Sequence, residues 1–331
     1  MSLKQTIKEF LKHSLFNESH PYFMMKMLDR REKKMLAQQE AHSRMTYAQI
    51  EAAIDRQAVQ MFGRPVNWEN PQTYNEKIHV SKLYMPTPLK TRLADKYAVR
   101  EWIAEKIGSE YLIPLLGVYD SFDEIDFDAL PEQFVIKCNH DSGSYTLVKD
   151  KSKINRKLLK RKYEVFMRQN FAWMGWEMHY REIPPKIMIE QYMGDEICDY
   201  KFMCFGGKVY YCQVAFNLAT SPGAYTRNFY DVNWNVLQCY CIPTPMDNKE
   251  HECPEEWHTM LQLAEKLAEG FDQVRADLCL IDGKIYFGEM TFADGCGFAP
   301  FVPDEYDYKF GALWPFDTSI RSQVLARSSR P

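Results

Sequence analysis

The sequence predicts an α+β protein with a helical N-terminal region, and three observations support this fold class. Apolar residues recur at helical spacing in the first third of the chain. From residue 112 onwards, short apolar segments bounded by turn residues replace that pattern. Two pairs of these segments are joined by Gly206-Gly207 and by Asp282-Gly283, dipeptides that favour tight β-hairpins.

Composition narrows the class of protein. Of the 331 residues, 46% are hydrophobic and 26% are charged, as in ordinary globular proteins. The net charge of −4 gives no argument for a nucleic-acid partner, and no apolar run is long enough to span a membrane. The nine cysteines are scattered without a CxxC pair, so we expect a reduced, cytoplasmic protein.

The helical region begins with an amphipathic segment. Leu3, Ile7, Phe10 and Leu11 form an apolar stripe among lysines. The stripe either docks on its own domain, which is our preferred interpretation, or rests on a membrane surface. A second helix is predicted over residues 47–61.

Two further helices precede the strands. Thr73 and Glu76 have the spacing of a capping box, in which each side chain bonds a free backbone N–H at a helix start. Another helix is predicted over residues 89–107, with Gly108 just past its end. The charges on this helix are typical of a solvated face: Asp95, Lys96 and Arg100.

Residues 134–138 form an apolar strand with one lysine, Lys137, and the small polar loop 139–144 follows it. An ammonium group beside such a loop can hold a polyphosphate, although the GxxxxGK[ST] motif is absent. An ordinary hairpin with an edge lysine is equally consistent. His140 is either a hydrogen-bond partner that stabilises the loop or a catalytic base.

Later segments carry single polar candidates. The apolar strand 186–190 ends at Glu190, an arrangement that suits an adenine and its ribose. Lys201 lies in a hairpin strand, either over a phosphate or exposed to solvent. Arg227 lies in another strand-like run, and the Gly/Pro loop 294–303 could wall a substrate site.

The hairpin 274–292 carries the strongest chemical signal. Arg275 and Asp277 point to one side of their strand, as Glu289 and Thr291 do on theirs. A three-residue loop would bring all four side chains onto one face, whereas a two-residue loop would separate the carboxylates. Two carboxylates on one face would suit Mg²⁺ with nucleotide phosphates. A salt-bridged surface hairpin is the alternative.

Several stretches in one order resemble the ATP-grasp superfamily, and in particular its TupA-like group, which is linked to bacterial polysaccharide biosynthesis. The similarity covers about residues 65–316. It is greatest in five stretches: NPQTYNEK (70–77), DKYAVREWIAEKIG (95–108), FVIKCNHDSGS (134–144), DYKFMCFGGK (199–208) and YFGEMTF (286–292).

The resemblance implies an ATP-grasp fold, in which ATP lies between two α+β subdomains. The implied nucleotide-binding residues are Arg100 and Lys137 for the phosphates, His140, Asp141, Ser142, Gly143 and Ser144 in the loop that closes over them, Glu190 and Met193 for adenine, and Glu196 for the ribose. Because Glu196 falls one residue short of the usual spacing, Asp195 and Asp199 are alternatives. The helical N-terminal region differs from the Rossmann-like leading subdomain of many ATP-grasp enzymes.

The resemblance also implies a metal site and a phosphoryl-transfer site. Asp277 and Glu289 would bind two Mg²⁺ ions, and Thr291 stands where asparagine is common. Arg275 would stabilise the transferring phosphoryl group.

The implied reaction is an ATP-dependent ligation. A substrate carboxylate attacks the γ-phosphate, and an amine then attacks the acyl phosphate. Lys201 and Arg227 are the candidates for holding an acidic substrate. The expected partners are a small-molecule amine and a carboxylate on a sugar or glycan precursor.

The expected organisation has five parts. A helical region (1–64) precedes a helical lead-in with the first strand (65–132). The lysine and loop belong to one ATP-grasp subdomain (133–193), the carboxylates belong to the second (194–316), and a tail follows (317–331).

Three other functions stay open at this point. A kinase would use the same ATP site but transfer phosphate to a hydroxyl. A glycosyltransferase would need a metal-binding DxD, for which Asp126-Phe127-Asp128 is the literal match, in an acidic run that is typical of a turn. A scaffold would use only the N-terminal helices.

Overall fold

The structure is a computed structural model that describes residues 21–195, 197–216 and 226–328. The predicted apolar stripe at residues 3–11 and the candidate ribose ligand Glu196 lie outside these ranges.

Two helices open the described chain, α1 (Pro21–Ser43) and α2 (Tyr47–Phe62). Thr46 and Gln49 form a capping box at the start of α2, and Gly63 ends it in the left-handed conformation, with φ 74°. The second predicted helix is therefore confirmed.

The helical lead-in contains α3 (Tyr74–Tyr84), α4 (Pro88–Ala94) and α5 (Val99–Lys106). The capping box before α3 forms as predicted. The single helix predicted over residues 89–107 is wrong, because the chain turns at Asp95. The Asp95 carboxylate accepts the N–H groups two and three residues later at 2.8 and 3.2 Å, and so competes with the continuous helix.

The smaller sheet consists of β1 (Leu115–Tyr119), β2 (Phe134–Cys138), β3 (Thr146–Val148) and β4 (Ile187–Gln191). Its order is β1-β4-β2-β3, and every neighbouring pair is antiparallel. Helix α6 (Arg156–Met167) packs on it. Their shared core contains Phe134, Ile136, Ile187, Ile189, Leu159, Tyr163 and Phe166.

The remaining strands are β5 (Cys198–Phe205), β6 (Lys208–Phe216), β7 (Thr226–Asp231), β8 (Val236–Leu237), β9 (Tyr240–Cys241), β10 (Gln273–Ile281), β11 (Lys284–Thr291) and β12 (Phe301–Val302). Six of them form the larger sheet in the order β11-β10-β5-β6-β7-β8, and all of its neighbouring pairs are antiparallel. Strands β9 and β12 pair separately. The predicted Gly206-Gly207 hairpin joins β5 to β6.

The remaining helices are α7 (Ala172–Gly175), α8 (Trp257–Ala268), α9 (Glu305–Leu313) and α10 (Ile320–Ser328). Short 3₁₀ turns link several elements: Ser109–Tyr111, Phe122–Glu124, Lys151–Lys153, Met178–Tyr180 and Asp294–Gly297.

The two faces of the larger sheet differ. One face packs against α8 and α5 and forms an extensive apolar core. On the other face, Met203, Phe205, Tyr211 and Phe229 pack under α3 and α9 at one end. The other end of that face is polar. The candidate site therefore lies on a sheet whose position is fixed by apolar packing on both faces.

Across the described ranges, every helix is too short or too polar to cross a membrane.

Candidate active site

The hairpin of β10 and β11 turns through a two-residue loop. Asp282 and Gly283 both have positive φ, 50° and 71°, and Ile281 pairs with Lys284. The three-residue loop that would unite the carboxylates therefore does not form. A two-residue loop alone would place them on opposite faces.

A β-bulge at Gly288 restores the shared face. Leu278 pairs with Phe287, but the next residue along β10, Asp277, pairs with Glu289. The extra residue moves every later side chain of β11 to the opposite face. A Cβ at Gly288 would lie 3.1 Å from the Asp277 carbonyl oxygen and 3.3 Å from its Cβ, so glycine suits this close approach. The two carboxylates thus share a face because of a β-bulge, which the sequence analysis did not predict.

Arg275 is the centre of the polar end of the sheet. Its Nε and Nη2 donate to Asp277 Oδ1 and Oδ2 at 2.7 and 2.6 Å, and Nη2 donates to Glu289 Oε1 at 2.7 Å. Nη1 pairs with Asp294. Burial alone would lower the pKa of Arg275, but the three carboxylates raise it well above its usual value. The guanidinium is a fixed positive charge that three carboxylates orient.

Lys201 enters this group from β5. Its Nζ lies 2.9 Å from Asp277 Oδ2 and 3.3 Å from Asp199 Oδ2. Thr291 Oγ1 donates to Glu289 Oε1 at 3.0 Å. The predicted Arg275, Asp277, Glu289 and Thr291 set is therefore assembled, together with the predicted Lys201.

The two central carboxylates have opposite pKa shifts. Burial raises the pKa of Asp277, and the cations Arg275 and Lys201 oppose that effect. Burial would also raise the pKa of Glu289, but Arg275, Lys96 and Lys201 outweigh it and lower the pKa to about 2. Glu289 is consequently ionised at neutral pH.

The group also contains two side chains that the sequence analysis missed. Asp294 Oδ2 accepts a hydrogen bond from Gln213 Nε2 at 3.2 Å, and Gln213 Oε1 accepts one from Arg227 Nη1 at 3.1 Å. Asp294 follows Thr291 by three residues, so its nearness to the hairpin was a usable signal. Gln213 pairs with Lys201 across β5 and β6, a contact that only the strand register reveals.

We name this group the acid cluster. Within the described ranges it contains four carboxylates and two cationic side chains: Asp199, Asp277, Glu289 and Asp294 with Lys201 and Arg275. The excess of negative charge and the carboxylate and hydroxyl oxygens suit a hard divalent cation such as Mg²⁺. In the described part of the chain, no three His, Cys, Asp or Glu side chains have a metal-binding arrangement. The Asp277 and Glu289 carboxylates turn to Arg275 instead.

The smaller sheet carries a second ionic group. Lys137 Nζ lies 2.5 Å from Glu190 Oε2, and Arg100 Nη1 lies 3.5 Å from Glu190 Oε1. Arg100 Nη2 also donates to the Ile113 carbonyl at 2.8 Å. Only 8% of the Glu190 side chain is exposed. The structure thus brings together the residues predicted for the phosphates and for adenine, and their individual roles stay predictions.

Three predicted side chains of the 139–144 loop face inward. His140 Nε2 lies 3.2 Å from the Phe166 carbonyl oxygen. Ser144 Oγ donates to Asp141 Oδ1 at 2.6 Å and accepts the Cys138 N–H at 2.8 Å. These contacts support the loop from within, so of the two readings of His140 its contacts match the hydrogen-bond partner.

The exposed positions of this loop are Ser142 and Gly143, the latter at φ 95°. Lys96 donates its Nζ to the Asp141 carbonyl oxygen and contributes to the low pKa of Glu289. Lys96 therefore lies between the loop and the acid cluster. The prediction that Asp95 and Lys96 lie on a solvated helix face is therefore wrong. Asp95 is buried and accepts a hydrogen bond from Asn139 Nδ2 at 2.9 Å.

The two alternative ribose ligands are already paired. Asp195 Oδ2 accepts a hydrogen bond from Lys149 Nζ at 2.6 Å, and Asp199 belongs to the acid cluster beside Lys201. Met193, predicted near adenine, is half-buried in the segment between β4 and β5.

The DxD match is a turn, as its sequence indicates. Asp126 Oδ1 accepts the N–H of Asp128 at 3.0 Å, and Phe127 is buried in the core of the smaller sheet. These contacts give no support to a glycosyltransferase.

The structure has two antiparallel sheets, each with an ionic group beside it, and the sequence comparison identifies an ATP-grasp family. The model of the TupA-like ATP-grasp family matches residues 76–314, about the range of the predicted resemblance. The chain belongs to the TupA-like ATP-grasp family.

Among curated proteins, none matches the sequence. Similar solved structures include the D-alanine–D-alanine ligase from Bacillus anthracis complexed with ATP, at 15% identity and a TM-score of 0.42, with 71% of this chain and 68% of that chain covered. The same enzyme from Helicobacter pylori has 12% identity and a TM-score of 0.40, with 68% and 59% covered. The ATP-grasp ligase PsnB, complexed with its minimal precursor, has 9% identity and a TM-score of 0.36, with 62% and 53% covered. The chain spans less than two thirds of the last two proteins.

Proposed function

We propose that the protein is an ATP-dependent carboxylate–amine ligase that acts through an acyl phosphate. The proposed reaction attaches an amino acid or another amine to a uronic acid or a similar carboxylate, in the synthesis of a surface polysaccharide. The family match supports the ATP-grasp part of this proposal. The polysaccharide rests on the resemblance of the sequence motifs, and the cytoplasmic location rests on the nine scattered cysteines without a CxxC pair.

The observation that carries the proposal is the contact of Arg275 with three carboxylates beside Lys201. Such a group offers fixed cations for a transferring phosphoryl group and carboxylates for a divalent cation. Lys137 on the smaller sheet and Arg100 on α5 supply further positive charge around Glu190. Lys96 lies between the 139–144 loop and the acid cluster. A polyphosphate between the sheets would meet cations along its length.

The first proposed step is phosphoryl transfer. A substrate carboxylate oxygen forms a bond to the γ-phosphorus of ATP, while the bond to the β,γ-bridging oxygen breaks and ADP leaves. Charge grows on oxygens around the phosphorus, and Arg275 and Lys201 neutralise it from fixed positions. Lys137 and Arg100 hold the other phosphates.

The second proposed step is amide formation. The amine nitrogen bonds to the activated carbonyl carbon, phosphate leaves with the bonding electrons, and the amine loses one proton. Since the substrate carboxylate is the nucleophile of the first step, no side chain has to form a covalent intermediate. Arg227, whose Nη1 donates to Gln213 beside the acid cluster, can hold an acidic part of the substrate.

Asp277, Glu289 and Thr291 would hold Mg²⁺, and their oxygens are the hard ligands that this ion prefers. When bound, Mg²⁺ neutralises charge on the phosphate oxygens. Arg275 now donates hydrogen bonds to both carboxylates. Binding of the metal would therefore require Arg275 to share these carboxylate oxygens or to give up the hydrogen bonds.

Hydroxylamine trapping tests the proposal. The protein is incubated with Mg·ATP, hydroxylamine and one of a panel of uronic acids and nucleotide-linked uronic acids. Only an acyl phosphate gives a hydroxamate, so its ATP-dependent formation is the expected result. Release of ADP with a phosphorylated sugar and no hydroxamate would instead indicate a kinase. Melting shifts with nucleotide sugars but not with Mg·ATP would contradict the ATP site.

A further inference from the structure

Helix α3 covers the turn that follows the acid hairpin. Lys82 is buried, and its Nζ donates to the Cys296 carbonyl oxygen at 2.7 Å and approaches Cys296 Sγ at 3.2 Å. The ammonium also lies 4.9 Å from the centre of the Phe298 ring. One turn earlier, His79 packs edge-on against Phe298, with ring centres 4.5 Å apart. The same face of α3 therefore contacts the second half of this turn and the residue that follows it.

The turn has an unusual backbone. Gly295, Cys296 and Gly297 all have positive φ, at 54°, 57° and 75°. For a residue with a Cβ such as Cys296 this conformation is unfavourable, and it persists only where surrounding contacts impose it. A Cβ at Gly297 would lie 2.9 Å from the His79 ring, so helix and turn are closely fitted. Several contacts hold Cys296 in this conformation: the hydrogen bonds from Lys82, the donation of its Sγ to the Gly175 carbonyl oxygen at 3.3 Å, and the donation of its N–H to the Ala293 carbonyl oxygen at 2.9 Å.

The same turn begins with Asp294, which pairs with Arg275 and accepts from Gln213. The position of the Arg275 guanidinium thus depends on where the turn places this carboxylate. Burial raises the pKa of Glu177, in the segment before the Met178–Tyr180 turn, to about 7, and the nearby Lys82 ammonium opposes that rise.

We infer that Lys82 is a positioning residue for the phosphoryl-transfer site: it fixes the Asp294–Gly297 turn, through which Asp294 orients Arg275. The inference rests on the proposed function, because it assumes that Arg275 acts on the phosphates of ATP. It adds a residue of α3 to the part of the site that the helical lead-in supplies, which already includes Arg100 of α5.

A double-mutant cycle tests the inference. The affinity for Mg·AMP-PNP, a non-hydrolysable ATP analogue, is measured by calorimetry for the full chain and its Lys82→Met, Asp294→Asn and doubly substituted variants. Each single change should weaken binding about tenfold, and the double change should weaken it no further, because both act on one contact. Lys82→Arg, which keeps a donor, should restore affinity to within about threefold. Independent losses that multiply to about a hundredfold would overturn the inference.

Lys77 provides the matched control. It is a second buried lysine of α3, and its Nζ donates to the Gly311 and Trp314 carbonyls at 2.8 and 3.0 Å, away from the acid cluster. Lys77→Met should lower the melting temperature and leave the affinity unchanged. Wild-type affinity in Lys82→Met would refute the role of Lys82 alone, whereas a wild-type protein that does not bind Mg·AMP-PNP would refute the proposed function. If Lys82→Met does not fold, Lys82→Gln takes its place in the cycle.

Discussion

The acid hairpin and the 139–144 loop use similar polar residues in opposite ways. In the hairpin, charged side chains form hydrogen bonds with one another around Arg275. In the loop, the side chains of Asp141 and Ser144 turn back to the protein and hold the main chain. The proposed site would therefore combine side-chain charges from a sheet with main-chain groups from a supported loop. Substitutions should therefore act on chemistry in the first region and on stability in the second.

The largest effect is expected in the two ionic groups. Glu289→Gln and Lys137→Ala should each lower hydroxamate formation by at least about a hundredfold, because each removes a charge that meets the phosphates or their metal. The fold should persist, since 36% of the Glu289 side chain and 21% of the Lys137 side chain are exposed. Rates are compared with circular dichroism melting curves. Full turnover by either variant would contradict the ligase proposal.

The loop should respond in stability. Ser144→Ala removes the acceptor of the buried Cys138 N–H and the donor to Asp141, and we expect a loss of about 2 kcal/mol in the free energy of unfolding. Ser142→Ala is the control, because Ser142 is exposed in the same loop and should change stability by less than about 0.5 kcal/mol. Urea unfolding of both variants gives the difference. Equal effects at the two serines would remove the distinction between the regions.

The extent to which each region could be predicted follows from the same distinction. Strand alternation is a strong rule, so the sequence alone indicated that Arg275 shares a face with Asp277. Alternation alone could not predict the β-bulge at Gly288, because a bulge depends on packing across the strands. Nor could it pair Gln213 with Lys201, since the neighbours of a strand are set by the whole sheet.

In the 139–144 loop and in the helical lead-in, residue type was a weaker guide. A small polar loop after a lysine strand suggests phosphate binding, but the inward orientation of Ser144 depends on its contact with Cys138. Asp95 was interpreted as part of a helix, although its carboxylate ends α4 by bonding the backbone of the following turn. The order of the motifs, more than any single residue, allowed the family to be predicted.

The bulge itself can be tested. Gly288→Ala should weaken Mg·AMP-PNP binding about tenfold, because the new Cβ would press on Asp277, whose carbonyl oxygen is 3.1 Å away. Gly283→Ala is the matched control in the same hairpin. Its φ of 71° is unfavourable for alanine, so stability should fall by about 1 kcal/mol with no change in affinity. Calorimetry and urea unfolding separate the two effects, and unchanged affinity in Gly288→Ala would mean that the bulge does not set the site.

The pH dependence of stability also distinguishes the two regions. Lys162 of α6 is buried beneath the loop, where its Nζ donates to the Tyr145 carbonyl at 2.9 Å and to Thr146 Oγ1 at 2.7 Å. Burial lowers the pKa of Lys162 to about 7, whereas the unfolded value is about 10.4. Between these values the unfolded state binds more protons, so stability should rise with pH by at most about 1.4 kcal/mol per unit. Below about pH 7 both states are protonated and the penalty of the buried charge is constant.

Glu289 behaves differently, because its lowered pKa of about 2 gives a contribution that is complete above about pH 4.5 and is lost only as the pH falls towards 2. From pH 7 to 9, therefore, the contribution of Glu289 should stay constant while that of Lys162 changes. Urea midpoints of the wild type and Lys162→Met over this range should diverge, with the wild type gaining relative to the variant. Lys157 is at an exposed position of the same helix, so the urea midpoints of Lys157→Met should change with pH in parallel with those of the wild type. Parallel curves for Lys162→Met as well would show that the ammonium beneath the loop carries no such penalty.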